Sequence, residues 1–243
     1  MLAETTAIRA YDAYLFDLDG VLTPTVELHR RAWAETFDAF FAERGLAPYR
    51  EVEYFTSLDG RSRFEGVRTL LDARGIPLPD GAPDGTGFET VAGIGNRKNI
   101  AFTEVLERDG IDPYPGSTLL LDRLAQLGRP LAVVSSSRNA EAVLRAAGLR
   151  DRFAAVVDGL VAEREGLPGK PAPDTFWRAA ELLGAAPDRA VVVEDAGSGV
   201  AAGRAGGFGL VIGVDRGAGR DALAAAGADL VVADLAELVE VTE

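Results

Sequence analysis

Residues 13–23 read AYLFDLDGVLT, an apolar run that passes directly into two aspartates and a glycine. A short apolar run of this kind is typical of a buried β-strand. Asp17 and Asp19 follow it two residues apart, and carboxylates at that spacing repel each other unless they share a cation or a proton. Gly20 allows the backbone to turn sharply after them. Taken alone, an Asp-x-Asp pair is more often a turn or a helix cap than a functional site.

Similar apolar runs recur later in the chain, at residues 131–134, 155–157, 191–193, 210–214 and 230–232. Helical patterns lie among them, at residues 117–127, 140–147, 174–183, 199–205 and 221–226. Strands that alternate with helices over short connections form parallel βαβ units. Because the runs are apolar throughout rather than alternating, both faces of the sheet are expected to be covered. We predict an α/β fold with a doubly wound parallel sheet.

Roughly 100 residues separate the first run from the second. Aromatic residues within this segment recur at helical spacing, at Trp33, Phe37, Phe40 and Phe41, and predict an amphipathic helix whose aromatic face is core. Apolar residues near 67–71 and 100–106 predict two more helices. Residues 80–95 contain five glycines and one proline and predict a loop. We predict that residues 27–102 form a helical cap domain, inserted into a core of residues 1–26 and 103–243.

Composition excludes several kinds of function. The chain has 243 residues and a formal charge of −13, which disfavours a nucleic-acid-binding surface. It has no cysteine and a single histidine, so thiolate and multi-histidine metal sites are excluded and oxygen ligands for Mg²⁺ are favoured. No apolar run is long enough to span a membrane, and the N-terminal segment does not resemble a secretion signal. We therefore expect a cytoplasmic monomer.

Polar residues follow three of the later runs, where parallel sheets bind their ligands. Ser135 follows the second run and would offer a hydroxyl near a helix start, although it is also an ordinary capping residue. Lys170 lies in the stiff segment GKPAPD and would aim a cation at a phosphate, although a solvated lysine is the simpler interpretation. Glu194 and Asp195 follow the fourth run and would complete an all-oxygen Mg²⁺ site with Asp17.

Residues 197–199, which read GSG, together with Gly203 suggest an alternative, a dinucleotide-binding loop in a non-catalytic module. Such a loop belongs after the first strand, and the carboxylates directly before it would repel a pyrophosphate. The joint occurrence of two acidic pairs, a hydroxyl and a lysine at strand ends favours phosphoryl transfer instead, because positioning and charge neutralisation account for most of its catalysis.

The four strand-end motifs resemble those of the haloacid dehalogenase superfamily of phosphotransferases. Residues 17–23 are similar to its first motif, Ser135 to its second, Lys170 to its third, and residues 194–195 to its fourth. A closer resemblance, to the β-phosphoglucomutase subfamily, rests on residues 31–33, 97–99, 114–116, 135–139 and 170–174, with Thr25, Glu27, His29, Gly60, Ser62 and Arg63. It implies a Rossmann-like core, a helical cap that closes over the substrate, and Mg²⁺.

The resemblance also implies roles for single residues. Asp17 would be the nucleophile and a Mg²⁺ ligand, and Asp19 the general acid and base, with its backbone carbonyl on the metal. Asp195 and the neighbouring Glu194 would complete the metal site. The transferring phosphoryl group would be held by Ser135 and Lys170.

Substrate binding and cap movement are assigned to further residues by the same resemblance. Arg63, with Gly60 and Arg61 nearby, would bind the distal phosphate or sugar from the cap, and Ser137, Arg138 and Asn139 would do so from the core. His29 and Lys98 would couple substrate contact to cap closure, although His29 also suits simple packing against the aromatic face. Thr25 would lie at the hinge.

Three departures from the subfamily pattern bear on the substrate: Pro24, Arg61 and the glycine-rich segment 80–95. A cap with its own cationic group, needed to bind a second phosphate, nevertheless favours interconversion of β-glucose 1-phosphate and β-glucose 6-phosphate through glucose 1,6-bisphosphate. A Mg²⁺-dependent phosphatase acting on a sugar phosphate or another small phosphomonoester is the alternative.

Overall fold

A computed structural model of the chain describes residues 10–58, 61 and 63–240. Gly60, one of the predicted substrate-binding residues, lies outside the described residues. Contacts divide the chain into two units, Thr25–Gly110 and a core unit made of Met1–Pro24 with Ile111–Glu243.

The core unit is built on a six-stranded sheet with the order β3-β2-β1-β4-β5-β6, in which every neighbouring pair is parallel. Its strands are β1 Ala13–Phe16, β2 Leu131–Val134, β3 Ala155–Val157, β4 Ala190–Glu194, β5 Leu210–Val214 and β6 Leu230–Val232. The predicted α/β fold with a doubly wound parallel sheet is confirmed. The strand order reverses between β1 and β4, and sheets of this kind bind ligands at that point.

The described part of the second unit contains three α-helices, numbered along the whole chain as α1 Thr25–Glu43, α2 Arg63–Ala73 and α3 Val91–Asp109, and a π-helical turn at Tyr54–Leu58. The core unit contains α4 Pro115–Gln126, α5 Ala140–Ala146, α6 Gly159–Glu165, α7 Asp174–Leu182, α8 Gly197–Ala205, α9 Arg220–Ala226 and α10 Glu237–Glu240. The sequence analysis missed α6, although Asp158 caps its start by accepting from Leu160 N and Val161 N. Gly166, with φ 66°, ends it in the left-handed conformation.

The sheet is buried on both faces by these helices. Leu15, Val134 and Val192 are wholly buried and belong to one apolar cluster with Phe176 of α7 and Val200 of α8. This explains why the strands have no polar alternation. The ligand-binding capacity of the sheet therefore lies at its strand ends rather than on its faces.

The second unit has its own apolar core, to which α1 contributes the predicted aromatic residues. Phe37, Phe40 and Phe41 are wholly buried there and Trp33 is nearly so. Against these rings pack buried residues of the other helices, Val67, Leu70, Leu71, Val91 and Ile94. The prediction of a buried aromatic face is correct.

The prediction of a loop over residues 80–95 is wrong in its last part, because α3 begins at Val91. Thr90 caps this helix by accepting a hydrogen bond from Gly93 N. Two positions within the helix require glycine because neighbouring atoms leave no room for a side chain, and not because the backbone turns there. A Cβ atom on Gly93 would lie 2.0 Å from Gly87 O, and one on Gly95 would lie 2.8 Å from the Phe64 ring.

The observed unit Thr25–Gly110 is longer than the range 27–102 given by the sequence. A boundary at residue 102 would cut through α3, which continues to Asp109. Among the described residues, no helix combines the length and the apolar character that crossing a bilayer requires.

Candidate active site

Asp17 and Glu194 lie side by side because of the register between β1 and β4. Phe16 pairs with Val193 in this register, and Asp17 N donates a hydrogen bond to Val193 O at 2.9 Å. Both carboxylates are buried, with side-chain exposures of 10% and 1%. Their juxtaposition therefore needs a compensating positive charge.

Lys170 supplies that charge. Its Nζ atom lies 2.6 Å from Asp17 Oδ1 and 2.5 Å from Glu194 Oε1. It also donates a hydrogen bond to Val134 O at 2.9 Å. Burial by itself lowers the pKa of the lysine, but the two carboxylates outweigh it and raise the pKa above its ordinary value. Lys170 is therefore a fixed cation at the ends of β1, β2 and β4.

The second acidic pair carries more negative charge than Lys170 can balance. Burial raises the pKa of Glu194 to about 7, and Asp17 adds to this effect while Lys170 opposes it. Burial also raises the pKa of Asp195 to about 8, with further contributions from Asp17, Glu194 and Asp19. Perturbed carboxyl groups clustered in this way are typical of functional sites.

Asp17, Glu194 and Asp195 present oxygen atoms that all lie within 4.8 Å of one another. Three carboxylates at that spacing suit a hard divalent cation such as Mg²⁺. The raised carboxyl pKa values fit the same interpretation, because a cation would offset both the burial and the repulsion that raise them. The donor set therefore fits Mg²⁺.

Ser135 and Asp19 adjoin this cluster in the core unit. Ser135 is buried at the end of β2, where its N–H donates to Val157 O at 3.0 Å. Its hydroxyl lies 3.4 Å from Asp19 Oδ2 and accepts a hydrogen bond from Ser137 N at 3.0 Å. Asp19 is half-buried. Of the six core residues predicted as catalytic, phosphate-binding or metal-binding, four form one cluster and Ser135 and Asp19 form a pair beside it, with the charge of Asp19 acting on Asp195.

The other predicted core residues lie at the start of α5. The hydroxyl of Ser137 accepts a hydrogen bond from Asn139 N, which fixes the turn before the helix. Arg138 is exposed and pairs with Glu163 of α6 at 3.1 Å. Their predicted contact with a substrate remains a prediction.

Within the second unit, His29 and Lys98 are in direct contact. Lys98 Nζ donates to His29 Nδ1 at 2.5 Å, and the His29 ring stacks on Phe102 with 4.5 Å between centroids. Burial holds the pKa of His29 well below its ordinary value, and the charges of Lys98 and Arg63 lower it further. His29 is therefore neutral near pH 7 and accepts from the ammonium group.

Arg63 is held by two asparagines of α3. Its guanidinium group donates to Asn99 Oδ1 at 2.9 Å and to Asn96 Oδ1 at 3.4 Å. Asn96 in turn donates to Pro83 O at 2.7 Å and to Gly85 O at 2.8 Å. The glycine-rich loop thereby orients Asn96 toward Arg63. The sequence analysis missed Asn96, although its i, i+3 spacing from Asn99 places both on one side of a helix.

Two further predicted residues of this unit have different surroundings. Arg61 is exposed and pairs with Glu65 one turn along, at 3.0 Å. Thr25 is wholly buried at the first position of α1, where the second unit begins. The roles predicted for them in substrate binding and as a hinge remain predictions.

A family model for haloacid dehalogenase-like hydrolases matches residues 11–207. The chain belongs to the haloacid dehalogenase-like hydrolase family. The match includes both acidic pairs, Ser135 and Lys170. This haloacid dehalogenase-like protein is 51% identical over 240 residues to the β-phosphoglucomutase of Mycobacterium bovis, covering 93% of this chain and 91% of that relative.

Solved structures of the family agree. The β-phosphoglucomutase of Clostridium difficile has a TM-score of 0.74 at 25% identity, covering 94% of this chain and 93% of that chain. CbbY from Rhodobacter sphaeroides, in complex with xylulose-1,5-bisphosphate, has a TM-score of 0.73 at 30% identity, covering 93% and 96%. The resemblance to β-phosphoglucomutases is confirmed, and this haloacid dehalogenase-like protein is a phosphoryl-transfer enzyme. The alternative of a non-catalytic nucleotide-binding module is wrong.

Proposed function

We propose that this enzyme is a β-phosphoglucomutase, which interconverts β-D-glucose 1-phosphate and β-D-glucose 6-phosphate through β-D-glucose 1,6-bisphosphate. The observation that carries the proposal is the presence of two separate cationic groupings. One is Lys170 against Asp17 in the core unit, and the other is Lys98 with Arg63 around His29 in the second unit. A bisphosphorylated intermediate has two phosphates to bind, and each grouping suits one of them.

In the proposed reaction, a carboxylate oxygen of Asp17 attacks one phosphorus of glucose 1,6-bisphosphate, and the bond between that phosphorus and the sugar oxygen breaks. Asp19, as a carboxylic acid, gives its proton to the departing oxygen, which leaves an aspartyl phosphate and a glucose monophosphate. In the second half, Asp19 takes the proton from the free hydroxyl of a bound glucose monophosphate. That oxygen attacks phosphorus, the Asp17 carboxylate leaves, and the bisphosphate forms again.

The remaining core residues would stabilise charge during these steps. Lys170 and the Ser135 hydroxyl would bind oxygens of the transferring phosphoryl group. Asp17, Glu194 and Asp195 would hold Mg²⁺, with the backbone carbonyl of Asp19. When bound, Mg²⁺ would neutralise negative charge on the phosphoryl oxygens.

The second phosphate and the sugar would be bound by the predicted substrate residues. Arg63 and Lys98 supply charge, and neutral His29 orients the ammonium group of Lys98. The other proposed contacts are Gly60, Arg61, Ser137, Arg138 and Asn139, with Thr25 as the hinge of a substrate-specificity cap. The cytoplasmic location and the monomeric state remain predictions from the sequence.

A phosphatase acting on a sugar phosphate is the second candidate function. The similarity to CbbY, whose solved structure holds xylulose-1,5-bisphosphate, favours it. The two reactions share the attack by Asp17 and differ only in whether a sugar hydroxyl or water accepts the phosphoryl group.

Phosphorus NMR distinguishes the two functions. Purified enzyme with Mg²⁺ and a trace of glucose 1,6-bisphosphate is given β-glucose 1-phosphate, and α-glucose 1-phosphate in a parallel sample. The mutase predicts glucose 6-phosphate from the β anomer alone, without release of inorganic phosphate. Stoichiometric inorganic phosphate without glucose 6-phosphate would establish the phosphatase instead. Asp17→Asn should abolish either activity, because a carboxamide does not attack phosphorus.

The role of the second unit is tested by Arg63→Ala, with Arg50→Ala as its control. Arg50 belongs to the same unit but is 71% exposed and pairs with Glu53. Arg63→Ala should reduce mutase turnover by about 10²-fold or more, the effect of losing a charged hydrogen bond to phosphate, and should reduce hydrolysis of 4-nitrophenyl phosphate much less. Equal losses in both reactions would remove Arg63 from distal-phosphate binding.

A further inference from the structure

In the loop that carries Asp19, three consecutive backbone carbonyl groups accept hydrogen bonds from residues outside the loop. Gly20 O accepts from Arg216 Nε at 3.0 Å, Val21 O from the Ser117 hydroxyl at 2.7 Å, and Leu22 O from Tyr114 N at 2.9 Å. All these residues belong to the core unit. A loop whose three successive carbonyls are bonded to two neighbouring segments, the loop after β5 and the start of α4, has little freedom to rotate.

Arg216 also contacts the other segments that hold this loop. Its guanidinium carbon lies 3.9 Å from the centre of the Tyr114 ring, a distance at which a cation is attracted to the ring face. It also donates to Ala233 O at 3.3 Å and lies 3.6 Å from Asp234 Oδ2. Arg216 therefore connects the loop after β5, the loop after β6, the start of α4 and Gly20.

Inside the loop, hydrogen bonds transmit this restraint to Asp19. Gly20 N donates to Thr23 O at 2.9 Å and Thr23 N donates to Leu18 O at 3.1 Å, so the turn closes on both sides of Asp19. Gly20 has a φ of 84° and lies so near Asp195 that a Cβ atom there would be 1.9 Å from Oδ2. A shift of the Gly20 carbonyl would therefore move the backbone at Asp19 and disturb Asp195.

We propose that Arg216 is a positioning residue that holds the Asp19 carboxyl group where it can protonate the departing oxygen, by fixing the Gly20 carbonyl and stacking on Tyr114. The proposal rests on the proposed acid and base role of Asp19. It assigns to the loop after β5 a function that the strand-end motifs do not include.

Leaving groups of different basicity test the proposal. A sugar oxygen needs a proton as it departs, whereas 4-nitrophenolate leaves readily without one. Arg216→Met should lower kcat for the sugar phosphate at least about tenfold, and the single-turnover rate of 4-nitrophenolate release from 4-nitrophenyl phosphate less than about threefold. Arg216→Lys should recover part of the loss. The matched control is Arg220→Met at the start of α9, since Arg220 donates to Val231 O of β6 rather than to the loop that carries Asp19 and should affect neither substrate.

Equal losses on both substrates, or no loss on either, would overturn the proposal, since a merely structural role does not distinguish leaving groups. If Arg216→Met fails to fold, Tyr114→Leu removes the stacked ring while keeping the guanidinium and should give the same selectivity with a smaller loss. Asp19→Asn is the reference. If it loses both substrates equally, the proposed role of Asp19 fails, which is a different result from failure at Arg216 alone.

Discussion

Gly199 lies against the carboxyl group of Glu194, so that a Cβ atom at position 199 would be 1.8 Å from Oε1 and 1.9 Å from the carboxyl carbon. The close approach arises because α8 begins three residues after β4 ends, and Glu194 Oε2 accepts from the first N–H groups of this connection, those of Asp195 and Ala196. Glycine at position 199 therefore leaves room for the carboxylate beside Lys170.

Gly199→Ala is expected to displace Glu194 and lower Mg²⁺ affinity about tenfold or more, as loss of support for a metal ligand does. Gly197→Ala is the control in the same helix, because its Cβ atom would only touch Ala226 at 3.8 Å. Alanine at 197 should raise the free energy of unfolding by up to about 1 kcal/mol, the ordinary gain in a helix. Titration calorimetry and urea unfolding check both, and equal behaviour of the two variants would contradict the explanation.

Much of the fold could be predicted from the sequence because each strand is a short, wholly apolar run with polar residues at its end. The observed strands coincide with the predicted runs except at β4, which extends to Ala190 and Glu194. The glycine-rich segment could not be interpreted in the same way. At positions 93 and 95, within a helix, glycine lets other parts of the chain approach closely. Phe64, which approaches Gly95, is far away in the sequence, and the approach of Gly87 to Gly93 is visible only in three dimensions.

The sequence predicts which residues form the site better than it predicts the contacts they make. Strand-end position was enough to select Asp17 and Glu194, because carboxyl ends of parallel strands meet. Lys170 lies beyond α6 rather than directly after β3, and its stiff segment GKPAPD was the local signal. The sequence around Arg216 does not indicate that this residue bonds the backbone carbonyl of Gly20, and the sequence around Asn96 does not indicate that it bonds Arg63. Both contacts join segments that are far apart in the chain.

Removal of the buried cation should destabilise the core unit. Lys170→Met leaves Asp17 and Glu194 facing each other without compensation, at a cost of about 3–5 kcal/mol in the free energy of unfolding. The loss should be larger at about pH 8 than at about pH 5, where protonation of Glu194, whose pKa burial raises to about 7, relieves the repulsion. Arg178→Met is the control, since its solvent-screened pairs with Glu165 and Glu181 should contribute far less to stability. A loss for Lys170→Met as small as that of the control would contradict the prediction.

His29 should make the second unit less stable in mild acid. Its pKa is lowered in the folded protein, so the unfolded chain binds the proton first as the pH falls below the ordinary histidine value of 6.5. The stability contribution of neutral His29 is fully present above that pH and is lost below it, by up to about 1.4 kcal/mol per pH unit. His29→Asn should flatten this part of the pH profile in urea unfolding. Because the chain has one histidine, an unchanged slope would contradict the assignment.

Mg²⁺ binding should release protons near neutral pH, because Asp195 and Glu194 have pKa values of about 8 and about 7 without metal. Because folding raises the pKa of both carboxyl groups, the metal-free protein loses stability as the pH rises from the ordinary carboxyl range to about 8. Bound Mg²⁺ should cancel that loss. Calorimetry in buffers of different ionisation enthalpy should therefore show proton release at about pH 6.5 and almost none at about pH 9. Asp195→Asn should reduce the release and the affinity together, whereas Asp12→Asn, at the opposite end of β1, should leave both unchanged. Equal proton release at both pH values would show that these carboxyl groups do not bind the metal.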